Sequence, residues 1–328
     1  MKAIYNKIKI AVVVLGIALF AVSCNPETQT MGDAGQTLVK MLPSGFKLIP
    51  FDAKAVAQSA IVMEVRRDVH SEEALNSATT VILQKDDALL DAYNEENETS
   101  FEPLPTSLGT TNPAAAADGK LTLEFAAGEF SKSIVVSVPD ATKFDFAKQY
   151  GLAYKLVSVS GTGIKSLAVG DELVVQVGVK NQYDGIYEVT ALSPMLDVVN
   201  PALTGYYPFV YVLETTGAHS CLCFDKDIWA DYMHPITSGT SVSGYGAFGL
   251  EVFFDPSGNG NIIEVRNPWG NPPANTRMPA IDPSGVNKWD PATKDIQFKY
   301  WMKQPSLVPA APNIRTYFDE YWAYQGPR

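Results

Sequence analysis

Three tryptophans stand in turn-rich segments beside hydrogen-bonding side chains. Trp269 lies in Arg266-Asn267-Pro268-Trp269-Gly270-Asn271-Pro272-Pro273, Trp289 follows Asn287 and Lys288 and precedes Asp290, and Trp229 lies in Asp225-Lys226-Asp227-Ile228-Trp229-Ala230-Asp231-Tyr232. A sugar offers an apolar face of C–H groups and a rim of hydroxyls. A flat aromatic ring stacks on the first, and Asn, Asp or Arg bonds the second. Trp269, Trp289 and Trp229, with Asn271 and Arg266, are therefore the candidate glycan contacts. The competing reading of each ring is a plug buried at the end of a β-barrel, since Trp is on average a buried residue.

Signals for catalysis are sparse. The Gly/Ser-rich stretch 238–246 lacks nucleophile-elbow spacing, no phosphate-binding loop ends in Gly-Lys-Ser/Thr, and no HExxH occurs. His70, His219 and His234 are far apart, which gives no basis for a triad or a histidine metal site. Asp255, Ser257, Asn259 and Gly260 imitate the start of an EF-hand calcium loop, but Arg266 stands where the bidentate Glu belongs. A hairpin turn explains the segment better, because Asn-Gly favours the positive φ such turns need. No cofactor or metal site is expected. The 36 acidic residues provide many carboxylate pairs, yet sequence does not fix the spacing of roughly 5 to 5.5 Å that a retaining glycosidase requires.

The elements that position these residues follow from composition and pattern. The chain has 328 residues, 46% hydrophobic and 19% charged, with 24 Gly, 22 Pro and three Cys. That is enough for about two domains, each with its own core, and it excludes a disordered chain, a coiled coil and a disulfide-framework miniprotein. A formal charge of −11 makes nucleic acid a poor partner.

Residues 1–23 read as an export signal. Lys2, Lys7 and Lys9 precede an uncharged run from Ile10 to Val22, shorter than the roughly 20 residues of a membrane-spanning helix. The run ends in Ala21-Val22-Ser23-Cys24, which resembles the lipobox of bacterial lipoproteins and implies lipidation at Cys24. Residues 24–36 form a polar tether. Cys221 and Cys223 share one face of a strand but stand too far apart for a disulfide, so both are expected in a core.

Residues 37–180 mix short strands with a helix over Asp86–Glu96 and a loop over 99–119, predicting an immunoglobulin-like β-sandwich. Residues 181–328 alternate strand and turn signals, predicting a C-terminal antiparallel β-barrel (lipocalin-like) or bent sandwich. Within it, Ile296, Phe298, Tyr300 and Met302 share one face and Gln297, Lys299, Trp301 and Lys303 the other. The final strand, Thr316 to Tyr324, is apolar on both faces and is expected in the middle of its sheet.

The lipobox, the helix around Tyr93-Asn94-Glu95-Glu96-Asn97, the Tyr150-Gly151-Leu152 approach to a strand, Asn181-Gln182-Tyr183-Asp184-Gly185-Ile186-Tyr187 and the closing Tyr321-Trp322 occur in that order. Together they resemble Bacteroidota surface lipoproteins that begin with domain of unknown function 1735 and continue into a lipocalin-like or other β-rich module, found among genes for glycan capture. The resemblance implies attachment to the outer membrane, facing the cell surface, and binding of a polysaccharide or glycoprotein glycan alongside outer-membrane glycan-uptake proteins. It supplies no functional residue beyond Cys24. The expectation is a non-catalytic glycan-binding lipoprotein. A structural or adhesive component of a cell-surface assembly and a glycoside hydrolase are the alternatives.

Overall fold

A computed structural model describes residues 35–161, 163–166, 168–270, 273 and 275–328. The export signal, Cys24, most of the tether and Asn271 lie outside the described residues.

The first eleven strands form two facing sheets. They are β1 (Thr37–Leu42), β2 (Gly45–Asp52), β3 (Gln58–Asp68), β4 (Thr79–Lys85), β5 (Phe101–Pro103), β6 (Thr110–Asn112), β7 (Lys120–Phe125), β8 (Ser131–Val138), β9 (Gln149–Gly161), β10 (Gly163–Lys165) and β11 (Glu172–Lys180). One sheet runs β10-β1-β3-β8-β6 and the other β2-β11-β9-β4-β7, with β5 alongside β9. Alternation builds the core between them. In β7, Leu121, Leu123 and Phe125 point in while Lys120, Thr122 and Glu124 stay in water. Val39, Met41, Val65, Val81, Leu83, Ile134, Val136 and Val175 complete the same cluster.

Two helices decorate this sandwich, α1 (Glu72–Asn76) and α2 (Asp87–Asn97). The Asp86 carboxylate caps α2 by accepting from Ala88 N at 3.1 Å and Leu89 N at 3.3 Å. The helix lies on the outer face of β9 and β11, where Leu90 meets Phe101, Ala153 and Val174. Gly151 lets it approach, because a Cβ there would stand 2.7 Å from Leu90 Cδ1. The segment 99–119, read as loop, contains the short β5 and β6.

Arg67 is buried in the sandwich at 1% exposure. Its guanidinium donates to the carbonyls of Ser77 (2.8 Å), Leu75 (3.1 Å) and Glu129 (3.0 Å) and to Thr79 Oγ1 (2.9 Å). It thereby ties the α1 turn to the β7–β8 connection while lying 5.0 Å from the centre of the Phe125 ring.

The remaining strands are β12 (Gly185–Asp197), β13 (Leu203–Gly205), β14 (Phe209–Gly217), β15 (Ser220–Asp225), β16 (Pro235–Ser238), β17 (Ser241–Gly244), β18 (Glu251–Phe254), β19 (Ile262–Arg266), β20 (Met278–Ile281), β21 (Lys288–Trp289), β22 (Ile296–Lys303) and β23 (Ile314–Gly326). Eight of them make an up-and-down meander, ordered β19-β18-β15-β14-β12-β23-β22-β20. The last strand pairs with the first, Val189 opposite Trp322 and Asp197 opposite Thr316. β19 and β20 run side by side without a ladder, and Ile262 N donates to Asn287 O at 2.8 Å across the gap. The sheet is thus a nearly closed barrel, and β23 is internal to it, as its two apolar faces require. The β18–β19 connection is a turn. Asp255 accepts from Ser257 N and Asn259 Nδ2, both at 2.8 Å, and Gly258 and Gly260 take positive φ. Cys221 and Cys223 are free and fully buried.

Large rings fill the barrel. Tyr183, Tyr187, Tyr211, Phe248, Phe254, Phe298, Tyr300, Phe318 and Trp322 are each at most 1% exposed. One carboxylate sits among them. Glu320 accepts from Tyr207 Oη at 2.6 Å, His234 Nε2 at 2.9 Å, Trp322 Nε1 at 2.9 Å and Tyr300 Oη at 3.1 Å. The other His234 nitrogen lies 2.9 Å from the Pro235 carbonyl. Burial pushes the Tyr207, Tyr211 and Tyr300 phenols well up and keeps them neutral; at Tyr207 and Tyr300 this preserves the donors to Glu320.

Each buried polar centre gives a stability test. Arg67→Ala should destabilise the protein by about 3 kcal/mol or more, since each buried carbonyl left without its donor costs roughly 1–3 kcal/mol. Glu320→Leu should cost about 3 kcal/mol or more, since Tyr207, His234, Tyr300 and Trp322 would lose their shared acceptor and each buried group left unpaired costs roughly 1–3 kcal/mol. Urea unfolding followed by far-ultraviolet circular dichroism checks both, and an unchanged midpoint would contradict the corresponding role.

Candidate functional site

Barrel topology sorts the connections between two ends. The strap 181–184 from the sandwich, the β14–β15 and β18–β19 turns and the 282–295 connection lie at the near end. The connections 198–208, 226–250, 267–277 and 304–313 lie at the far end, where β13, β16 and β17 form a small sheet of their own.

This separates the three candidate tryptophans. Trp229 and Trp269 stand at the far end, 38% and 42% exposed. Trp289 is on β21 at the near end, 4% exposed and edge-on to Tyr183 at 5.1 Å. Asp290-Pro291 beside it made it look like a loop residue, but burial removes it as a stacking platform. Arg266 ends β19 at the far rim. Its guanidinium lies 4.2 Å from the centre of the Phe253 ring, and Nε donates to Glu264 Oε1 at 2.7 Å, so it is tied to the barrel wall.

The two exposed indoles are held on interlocked loops. Buried Asp225 accepts from Trp229 N at 2.7 Å and Ile228 N at 3.4 Å, and Asp225 and Asp231 exchange backbone hydrogen bonds that close the turn. Desolvation raises the Asp225 carboxyl from its ordinary range, and those backbone donors oppose the rise. The Trp229 ring lies against Gly244, whose Cβ position would be 3.7 Å from Cε2 and Cζ2. Trp269 Nε1 donates to Tyr232 O at 2.8 Å, in the same turn that carries Trp229.

Asn267 is the pin of the second loop. Its side chain accepts from Gly249 N at 3.3 Å and Trp269 N at 3.2 Å, and donates to Ala247 O at 3.0 Å and Arg277 O at 2.9 Å. Gly249 has no room for a side chain, because a Cβ would stand 2.0 Å from Tyr232 O. A further buried group secures the 198–208 connection. Asp197 accepts from Arg315 Nε at 3.0 Å, Tyr245 Oη at 2.6 Å and the backbone of Val199 and Asn200.

Below this end, Tyr232 leads down the outer wall. Its ring meets Phe224 edge-on at 5.3 Å, and its hydroxyl donates to Glu214 Oε2 at 2.9 Å. Desolvation, reinforced by Glu214, pushes the Tyr232 phenol up to about 12. Glu214 and Phe224 line a cleft of about 820 Å³ between barrel and sandwich.

Chemically, the far end offers two fixed indole surfaces among polar groups. The His234–Glu320 pair has the residue types of an acid–base couple, but both side chains are at 0% exposure and all their partners are structural. It is a clamp. Among the described residues no cluster of three or more His, Cys, Asp or Glu is arranged to hold a metal ion. Of the residues that matter here, sequence reasoning missed Asp225, Tyr232, Asn267 and Glu320. The signal available was Asn267 before Pro268, a turn-forming pair.

A family model described as "-like, N-terminal domain" matches residues 49–163, inside the sandwich. No curated protein matches the chain. Among solved structures, a protein of unknown function from Bacteroides ovatus is similar at TM-score 0.51 and 12% identity, over 89% of this chain and 95% of that one. A multidomain protein including DUF1735 from Bacteroides ovatus has TM-score 0.43 and 12% identity, over 87% and 92%. An auxiliary nutrient binding protein from Bacteroides thetaiotaomicron has TM-score 0.43 and 11% identity, over 85% and 90%. The first of these likenesses shows a fold shared across both domains.

Proposed function

We propose that this protein is a non-catalytic glycan-binding lipoprotein, anchored through Cys24 to the outer membrane, with its capture surface at the far end of the barrel. The observation that carries the reading is the pair of exposed indoles, Trp229 and Trp269, on two loops locked together by the Trp269–Tyr232 hydrogen bond. Exposed aromatic rings lose solvent-facing apolar area when they stack on a sugar's C–H face. Rings that are already held lose little rotamer freedom on binding. The strap joins the sandwich to the barrel at the end opposite this surface.

The test is affinity electrophoresis and titration calorimetry of the soluble form, residues 25–328, against soluble starch, xylan, yeast mannan, pectic galactan and mucin glycopeptides. Reducing-sugar release is read in the same samples. Retention without sugar release is expected for at least one probe. Trp269→Ala and Trp229→Ala should each weaken it by roughly tenfold, about 1.4 kcal/mol. Trp289→Phe should lower thermal stability and leave affinity intact. Retention indifferent to both exposed indoles would move the site elsewhere, and sugar release would make the protein a hydrolase.

A further inference from the structure

The cleft between the two domains begins where the far-end surface stops. Its barrel wall carries Val212, Glu214, Phe224 and Lys226, and its sandwich wall carries Phe146 and Lys148. Val212, Glu214 and Phe224 project outward from β14 and β15, the side of a barrel that ordinarily faces water and is polar. Here that wall combines Val212 and Phe224 with Glu214 and Lys226, Arg328 lies 3.8 Å from Glu214, and the sandwich faces the wall across the cleft. The surface is continuous: Trp269 is bonded to the Tyr232 carbonyl, Tyr232 touches Phe224 and Glu214, and these two line the cleft. A volume of about 820 Å³ falls within the range of roughly 300–1,000 Å³ typical of ligand sites, which favour domain interfaces. Lys226 is exposed at the mouth beside the Trp229 turn, and Lys148 stands exposed opposite.

We infer that the glycan bound at Trp229 and Trp269 continues down the barrel wall into this cleft, so that the protein recognises an oligosaccharide chain and the sandwich supplies part of the site. This rests on the glycan-binding reading and narrows it from sugars in general to chains long enough to touch both domains. Phe146 and Phe224 provide stacking rings in the cleft, and Lys226 provides a hydroxyl-directed donor at its rim, opposite Lys148, which is paired with Glu102 at 2.9 Å. The strap that leads from the sandwich is fastened to the barrel beside the cleft. Asn181 donates to Gly217 O and Ser220 O, and Asp184 accepts from Thr215 N and from Arg328 Nε.

The experiment uses whichever of the four polysaccharides the wild-type protein retains, together with its disaccharide and its purified long oligosaccharide. Phe146→Ala and, separately, Lys226→Ala are titrated with both lengths beside Trp269→Ala, after thermal unfolding shows each variant folded. The expected result is that Trp269→Ala weakens both lengths, whereas the cleft variants weaken only the long oligosaccharide, by roughly tenfold for Phe146→Ala and less for the exposed Lys226→Ala. If Trp269→Ala weakens binding and neither cleft variant changes it at either length, the cleft is overturned as a subsite and the glycan reading stands. If the wild type retains none of the polysaccharides, the glycan reading fails and the cleft subsite fails with it. Should Phe146→Ala not fold, Lys226→Ala alone decides, because that side chain is solvent-exposed and carries no packing.

Discussion

One buried carboxylate organises the far end of the barrel. Glu320 is a charged group among aromatic rings, a placement that costs several kcal/mol unless its lone pairs are filled. Tyr207, His234, Tyr300 and Trp322 fill them, and they come from four separate segments. His234 follows directly on the turn that carries Trp229 and Tyr232, and Tyr207 belongs to the 198–208 connection. Satisfying one carboxylate therefore fixes two of the far-end connections relative to β22 and β23. Trp269 inherits that order through the Tyr232 carbonyl. The exposed indoles therefore stand on connections tied to one buried side chain.

The junction between domains follows a similar rule with weaker forces. Asn181 and Asp184 sit in the strap, and their side chains replace the hydrogen bonds that the ends of β14 and β15 would otherwise give to water. Arg328 and Lys180 add ion pairs to Asp184, whose side chain is only 2% exposed while theirs are partly open. These bonds fasten the strap to the near end of the barrel, with Lys180 the one sandwich residue among them.

Periodic elements were legible in the sequence, and long-range pairs were not. The alternation in β22 put Ile296, Phe298, Tyr300 and Met302 on one face, and that face is the buried one, because one face of a strand is one physical environment. The Asp255–Gly260 hairpin was readable from its positive-φ chemistry. The strands β13, β16 and β17 escaped notice because three or four residues of mixed polarity carry no period. Trp289 was misread because a turn signal next to a residue says nothing about which way its ring points. The clamp was invisible for a different reason: His234 and Glu320 are separated by 86 residues, and only the closed meander brings them together.

Closure of the meander also governs how the barrel comes to exist. Thr190 Oγ1 on the first barrel strand bonds Tyr321 O on the last, across 131 residues of chain. The entropy of bringing such distant segments together must be met before their contacts repay it, so the seam is intrinsically slow to form. Until it does, β12 and β22 each present an unpaired edge, the template on which β-rich chains associate. A nascent chain that has not yet yielded its final strand is therefore an open sheet, and it depends on being kept apart from its neighbours until the last thirteen-residue strand arrives.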